Sequence, residues 1–367
     1  MTNLIFFLPV FKFGGAANSI VRLCKSLSKK KYSIHIISIG TCDYKKKLIK
    51  ENFKFYELKK RKTLFLLVKL HNIVKKIISG NKGKNIFVSG HHYANIASII
   101  ALRSIRNIKL FVVERTDIEE LRTYYSFFKY LKNMIIYFLV VNLYKRADVI
   151  ISNSAGAKKD LEKICKHKVV HIHPPSFRKY EKALKVNKNK NKNKIKILMV
   201  GRLVKEKGID TVFKALSLLG TNNFTLDILG DGPEKQNLKR LKDKLGLKNI
   251  FFHGYKINVK HFFLRSNLFI NASHFEGFPN SVVEAINYGL PTICSDSKGG
   301  GSREILLNGK GGYLFPRYDY KALSKKLITF YKNPKILFKK TIESRKNIKN
   351  FSLKNNIKKY DALFDKV

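Results

Sequence analysis

Ile195-Lys196-Ile197-Leu198-Met199-Val200-Gly201-Arg202-Leu203 opens the second half of this chain. Five of its first six residues are apolar, and the run breaks at a glycine. A short, continuously apolar run ending in a glycine turn predicts a strand buried on both faces, as in a parallel sheet. Just before it, residues 186–194 run into an alternation of Asn and Lys, which has nothing to bury and predicts a solvated linker. On the other side of that linker the same plan appears. Residues 3–10 form an apolar run, Gly14-Gly15 make the turn, and a helical pattern starts near Asn18.

Further apolar runs lie at 33–39, 85–89, 109–113 and 149–152 in the first half, and at 225–229, 250–253, 268–271 and 291–294 in the second. Amphipathic stretches such as 18–28 and 94–103 separate them. Strands alternating with helices predict an α/β protein of two Rossmann-like domains, their parallel sheets facing each other across a cleft. The expected division is an N-terminal domain at 1–180, a linker at 181–194 and a C-terminal domain at 195–345. A Lys-rich helical tail at 346–367 is expected to pack back on the first domain.

The chain has 367 residues, suited to two domains of middling size. Lys and Arg number 74 against 25 Asp and Glu, a formal charge of +49 that attracts polyanions, anionic lipid and phosphorylated substrates. The same excess fits a compositional bias, since Lys, Asn, Ile and Phe are all abundant and Trp is absent. Lys is spread along the whole chain without a nucleic-acid motif, so no nucleic-acid partner is expected. The four cysteines are scattered without a CxxC pair, which argues against a zinc site or a disulfide framework and fits a reducing, cytoplasmic compartment. The N-terminal segment lacks a basic n-region and a cleavage site. The longest apolar run, residues 134–143, is too short to span a bilayer, which takes about 20 residues.

The richest stretch runs from His274 to Ala285, His-Phe-Glu-Gly-Phe-Pro-Asn-Ser-Val-Val-Glu-Ala. Glu276 is expected on a loop at the carboxyl edge of the sheet. Ser281 and Glu284 form a capping-box pattern, so Glu284 serves either the helix start or a ligand. Downstream, Gly299-Gly300-Gly301 leads into Ser302-Arg303-Glu304, a segment that can close over the same edge. Arg202 and Lys207 flank a turn at that edge, where two cations can clamp a diphosphate. Gly230 lies in a Gly-Asp-Gly-Pro turn, and Gly254-Tyr255 end another strand there; both turns can present backbone groups to a nucleotide. Gly14 and Gly15 allow a phosphate to approach a helix N-terminus. His91 and His92 follow a strand of the first half and suit hydrogen bonds to sugar hydroxyls or phosphate. No third ligand has convincing spacing, so no metal is expected.

In order, Gly201-Arg202-Leu203 with Glu206-Lys207-Gly208, Gly230-Asp231-Gly232-Pro233, the segment from Glu276 to Ala285, Gly289-Leu290-Pro291 and Gly311-Gly312-Tyr313-Leu314-Phe315 resemble glycosyltransferase family 4, of GT-B fold. The resemblance implies a retaining glycosyltransferase that moves a sugar from a nucleoside-diphosphate donor, without a required metal or other cofactor. Glu276 matches the position that contacts the donor sugar, on a loop with Gly277, Phe278, Pro279 and Asn280. Glu284 matches the ribose contact, and Gly230, Gly254 and Tyr255 belong to the nucleotide side. Arg202 and Lys207 match the diphosphate clamp, Gly14 and Gly15 the loop that meets the phosphates. His91 matches a histidine near the donor sugar, with His92 as the other register. Val112-Val113-Glu114-Arg115-Thr116-Asp117 resembles a Ser-Glu-Arg-Asn segment of members that build bacterial surface glycans, with Thr116 in place of Asn. Ile172-His173-Pro174-Pro175 departs from the usual Ile-Pro-Asn-Pro.

Residues 123–145 are aromatic and basic, and 61–78 form a second basic amphipathic segment. Either these are core helices of the first domain or they lie in a headgroup layer. The second reading predicts peripheral attachment to the inner face of the cytoplasmic membrane, with a glycan or lipid-linked acceptor in polysaccharide or lipopolysaccharide synthesis. The rival functions are a nucleotide-sugar epimerase of the same fold and a basic nucleic-acid-binding protein.

Overall fold

The computed structural model describes residues 1–8, 15–28, 30–40, 42–58, 63–80, 83–124, 126–181, 194–220 and 223–367. Gly14, Arg61, Tyr125 and the linker residues 182–193 lie outside them. The chain forms two compact units, Met1–Pro175 with Leu353–Val367, and Ser176–Ser352. Residues 176–180 and 346–352 therefore belong to the second unit.

The first unit is built on seven strands, β1 (Thr2–Leu8), β2 (Tyr32–Ser38), β3 (Lys54–Glu57), β4 (Asn85–Gly90), β5 (Lys109–Glu114), β6 (Val149–Ser152) and β7 (Val169–His171). Its helices are α1 (Gly15–Ser26), α2 (Lys45–Lys50), α3 (Thr63–Ser79), α4 (His92–Leu102), α5 (Phe127–Leu143) and α6 (Ala155–Cys165). All strands pair in parallel, in the order β3-β2-β1-β4-β5-β6-β7. Successive residues of β1 point to opposite faces, and both faces are dry. Ile5 and Phe7 pack with α3, α4, α5 and α6. Leu4 and Phe6 pack with α1. Burying a Phe side chain contributes about 1.5–3 kcal/mol, which is why a run as apolar as Leu-Ile-Phe-Phe-Leu settles in a sheet covered on both sides.

The second unit holds β8 (Ile195–Val200), β9 (Phe224–Leu229), β10 (Ile250–Phe252), β11 (Leu268–Asn271), β12 (Thr292–Ser295) and β13 (Tyr313–Phe315). They form a parallel sheet of order β10-β9-β8-β11-β12-β13. Ile197, Ile228 and Ile270 face α7 (Ile209–Leu219), α8 (Lys235–Lys244), α12 (Tyr320–Lys332) and α13 (Pro334–Asn347). Leu198, Phe269 and Cys294 face α9 (Lys260–Arg265), α10 (Asn280–Asn287) and α11 (Gly301–Ile305).

The last helix, α14 (Leu353–Lys366), belongs to the first unit. Its Tyr360 and Phe364 complete the apolar cluster of Leu4, Phe6 and α1. Tyr32 donates to Asp361 at 2.5 Å, and Lys31 pairs with Asp365 at 2.8 Å.

Both sheets have the doubly wound order in which direction of winding reverses beside the first strand, between β1 and β4 and between β8 and β11. Ligands of open α/β sheets bind outside the carboxyl ends of the strands at that reversal. The segments that leave those ends are residues after Leu8 and Gly90 in one unit, and after Val200 and Asn271 in the other.

Candidate active site

In the second unit the turn after β8 and the loop after β11 meet at the reversal point. Lys207 and Glu276 form an ion pair there, both partly buried. The pairing follows from the backbone. His274 N–H donates to the Glu206 carbonyl at 2.8 Å, tying the loop to the turn. Gly208 sits in the left-handed region with φ 59°, and a Cβ on it would lie 2.2 Å from the Ala272 carbonyl oxygen, so only glycine lets turn and loop approach this closely. Arg202, on the same turn, is exposed and makes no ion pair among the described residues. A guanidinium with no carboxylate partner, on the same turn as Lys207, is suited to receive an anion.

Gly230, at the end of β9, has φ 144° and lies against the β8 turn. A Cβ there would stand 1.8 Å from the Gly201 carbonyl oxygen. Its N–H donates to the Gly254 carbonyl at 2.8 Å, bringing the third turn, with exposed Tyr255, to the same edge. Glu276 N–H donates to the Lys298 carbonyl at 3.0 Å, and Gly301 abuts the Gly277 carbonyl, so the glycine-rich segment backs the loop. Phe278 is buried edge-on against Phe351, and Asn280 accepts from the Ser176 hydroxyl at 2.6 Å. Those two side chains anchor the loop.

The capping box is not formed. α10 starts at Asn280 with Pro279 as its N-cap, and the Val282 and Val283 N–H groups donate to the Pro279 carbonyl. Pro279 holds the entry dihedral, so the helix begins before Ser281 can cap it. Glu284 therefore lies more than one turn inside, half-buried on the helix.

In the first unit Gly15 opens α1 and is exposed. His91 is the N-cap of α4, with φ 87° and ψ 136°, a conformation that costs a non-glycine residue about 1–3 kcal/mol. It is held by its own backbone: its N–H donates to the Val113 carbonyl at 3.1 Å and its carbonyl accepts from Asn95 N–H at 2.9 Å. Of the two histidines, His91 is partly exposed and His92 is buried. The imidazole of His92 lies 3.8 Å from Glu114 at the end of β5. Glu114 is 1% exposed and accepts from the Tyr144 hydroxyl at 2.7 Å, from Arg115 N–H at 3.1 Å and from the Thr116 hydroxyl at 3.1 Å. Burial pushes its carboxyl up, but His92, the charge of His91 and the Tyr144 hydroxyl outweigh that and bring it to about 2.

Known proteins carry the same organisation. Residues 181–354 match the family Glycosyl transferases group 1, and residues 13–175 match Glycosyltransferase Family 4. The chain is a family-4-like glycosyltransferase. It is 29% identical over 309 residues to an uncharacterised glycosyltransferase of Methanocaldococcus jannaschii, covering 78% of this chain and 73% of that one. It is 25% identical over 340 residues to a Campylobacter jejuni α-1,4-N-acetyl-D-galactosaminyltransferase that acts on a diphospho-undecaprenol-linked glycan, covering 89% of this chain and 88% of the other. Its fold is that of HepE from Anabaena, solved with UDP and glucose, with TM-score 0.80 at 16% identity over 99% of both chains. Two parallel-sheet Rossmann-like domains make the transferase a GT-B protein.

The transferase has polar groups at its sheet edges that sequence reading passed over. Asp227 of β9 accepts from His253 at 2.5 Å and pairs with Arg265 at 3.0 Å, fixing the strand end just before Gly254. A carboxylate inside the apolar run Thr-Leu-Asp-Ile-Leu was the available signal. His274 stacks on Tyr318 at 3.7 Å between ring centres, and Arg317 donates to the His274 carbonyl at 3.3 Å.

Burial pushes the His274 imidazole down to about 4, with Asp210 opposing and Arg317 adding to the effect. Burial also lowers His35 to about 4, with Lys54 adding. An ordinary histidine binds its proton near 6.5. Between those values the unfolded chain takes up protons that the folded one refuses. Stability is therefore complete above about pH 6.5 and is lost as the pH falls toward about 4. Thermal melts at about pH 7 and about pH 4.5 should show Tm falling in the parent and falling less in His274→Gln. An equal fall in both proteins would remove His274 from the effect.

Proposed function

We propose that this glycosyltransferase moves a sugar from a nucleoside-diphosphate donor to a glycan or lipid-linked acceptor, with retention of anomeric configuration, in cell-surface polysaccharide or lipopolysaccharide synthesis. The observation that carries the reading is the Lys207–Glu276 pair at the winding reversal of the second sheet, with exposed Arg202 on the same turn as Lys207. The leaving nucleoside diphosphate gathers negative charge as the glycosidic bond breaks. Arg202 and Lys207 stabilise that charge, and Lys207 is held in place by Glu276 before the reaction begins. Glu276 contacts the donor-sugar hydroxyls on the loop of Gly277, Phe278, Pro279 and Asn280. Glu284 takes the ribose, and Gly230, Gly254 and Tyr255 border the nucleotide.

No carboxylate in the proposed site is assigned as a covalent nucleophile, which is consistent with same-face attack on an oxocarbenium-like centre. The reaction needs no metal on this reading. The acceptor class draws support from the relative whose name specifies an undecaprenol-linked glycan. The enzyme works as a peripheral protein on the inner face of the cytoplasmic membrane. No described helix is long and apolar enough to cross a membrane.

Thermal-shift measurement against UDP-, GDP- and ADP-sugars tests the donor. One nucleotide class is expected to raise Tm, at a hundred times its Kd by an amount equivalent to about 2.7 kcal/mol. The shift should persist in excess chelator. Absence of any shift, or turnover of a nucleotide sugar without an acceptor, would count against the transfer reading.

A further inference from the structure

The outer surface of α3, α4 and α5 has a composition that the first unit's core does not explain. α5 is apolar on two opposite sides. Its inward side, with Ile136 and Val140, packs on the helices beneath. Its outward side carries Phe128, Leu131, Ile135 and Phe138, exposed by 83%, 52%, 55% and 65%. These positions recur at helical spacing, so they form one continuous stripe. A solvated helix face has polar residues there. On the near side of the stripe Lys132 reaches over the ring of Tyr93 on α4, at 5.3 Å. Beyond α4, which packs against both neighbours, α3 presents Phe65 and Val68, exposed by 57% and 55%, in a shallow groove with Lys69 and Lys76.

Charge settles which partner this face suits. None of the three helices contains an Asp or Glu. From residue 58 to 113 the chain has twelve Lys and Arg and no acidic residue, and from 121 to 147 five and none. Of the carboxylates that flank these runs, Glu57 pairs with Lys45, Glu114 is buried against His92, Glu119 pairs with Arg122 and Asp148 with Lys109. A second copy of the chain would set the same lysines against each other across a two-fold axis. A layer with negative headgroups and apolar chains below satisfies both the rim and the stripe.

We infer that the α3–α4–α5 face is the membrane-docking surface, with the α5 stripe entering the acyl boundary of an anionic bilayer and Lys76, Lys129 and Lys132 at headgroup level. The inference deepens the peripheral location proposed above and rests on it. The interfacial depth of such a face is about 5–10 Å, enough to bury Phe128 and Phe138.

The chain lacks tryptophan, so Phe138→Trp makes a single-site reporter. The full chain carrying it is mixed with vesicles of phosphatidylcholine alone, or of phosphatidylcholine and phosphatidylglycerol in a two-to-one ratio. The introduced tryptophan should shift to the blue and be quenched by acyl-brominated lipid in the anionic vesicles only. Sedimentation with the same vesicles should fall at least tenfold for Phe128→Ser/Leu131→Ser and for Lys129→Glu/Lys132→Glu. All variants should keep the parent's Tm shift with the nucleotide sugar. Unshifted emission, or sedimentation unchanged in both double variants, overturns the docking surface. A parent that is dimeric in solution and becomes monomeric in Phe128→Ser/Leu131→Ser overturns it in favour of a second copy. Loss of the Tm shift in the parent would instead strike the transferase reading, and the two failures are distinguishable.

Discussion

Glu276→Ala is expected to lower sugar transfer by about a hundred- to a thousand-fold, the scale of losing one preorganised polar contact to a reacting group. The pairing with Lys207 gives the carboxylate two possible contributions, and kinetics separate them. If Glu276 contacts the transferred sugar, Glu276→Ala and the isosteric Glu276→Gln lower kcat on their own account, and combining Glu276→Ala with Lys207→Met costs more than either change alone. If Glu276 serves only to hold Lys207, the two single variants lose equally and the double variant is no worse than either. An ion pair this close to solvent contributes on the order of 1 kcal/mol to folding, so each protein should stay folded through the assay. Near-normal transfer by folded Glu276→Ala would take this residue out of the mechanism.

The second large effect is structural. Gly230→Ala should destabilise the second unit by about 3 kcal/mol or more and abolish stabilisation by the nucleotide sugar. The added Cβ would stand 1.8 Å from the Gly201 carbonyl oxygen, a backbone atom with no rotamer to yield. Relief requires the β8 turn to move, and with it Arg202 and Lys207. Gly254→Ala is the control. That residue is also in the left-handed region, at φ 68°, but nothing lies within 4 Å of its Cβ position. Its cost is the backbone term alone, about 1–2 kcal/mol. Urea unfolding of the two variants decides the matter, and equal losses would show that the close approach to Gly201 is not what requires glycine at 230.

Strands that are apolar throughout were legible in the sequence. β1, β4, β5, β8 and β11 announce themselves because both faces are buried, so the pattern needs no partner to interpret it. β3, Lys-Phe-Tyr-Glu, carries no apolar run because it is an edge strand with polar ends. β7 and β13 span three residues each, too short for any periodicity. The site was legible where glycine and charge coincide, at Gly201 to Gly208 and at Glu276-Gly277. What escaped depends on contacts between distant segments. Ser281 and Glu284 fit a capping box by spacing, yet Pro279 starts the helix earlier. The Lys207–Glu276 pair joins positions 69 residues apart. Glu114 becomes a buried anion only because His92 and Tyr144 arrive from other helices.

The return of α14 to the first unit has a consequence during synthesis. A ribosome that has finished residue 175 must still translate the whole second unit before α14 exists. At about 5–20 residues per second that interval is roughly 10–40 s. Throughout it the nascent first unit lacks Tyr360 and Phe364, so the face of Leu4, Phe6 and α1 is incompletely covered. The second unit, contiguous in sequence, has no such wait. The order of maturation is thus inverted relative to the order of synthesis, and the earlier half of the polypeptide is the one exposed to chaperones for longer.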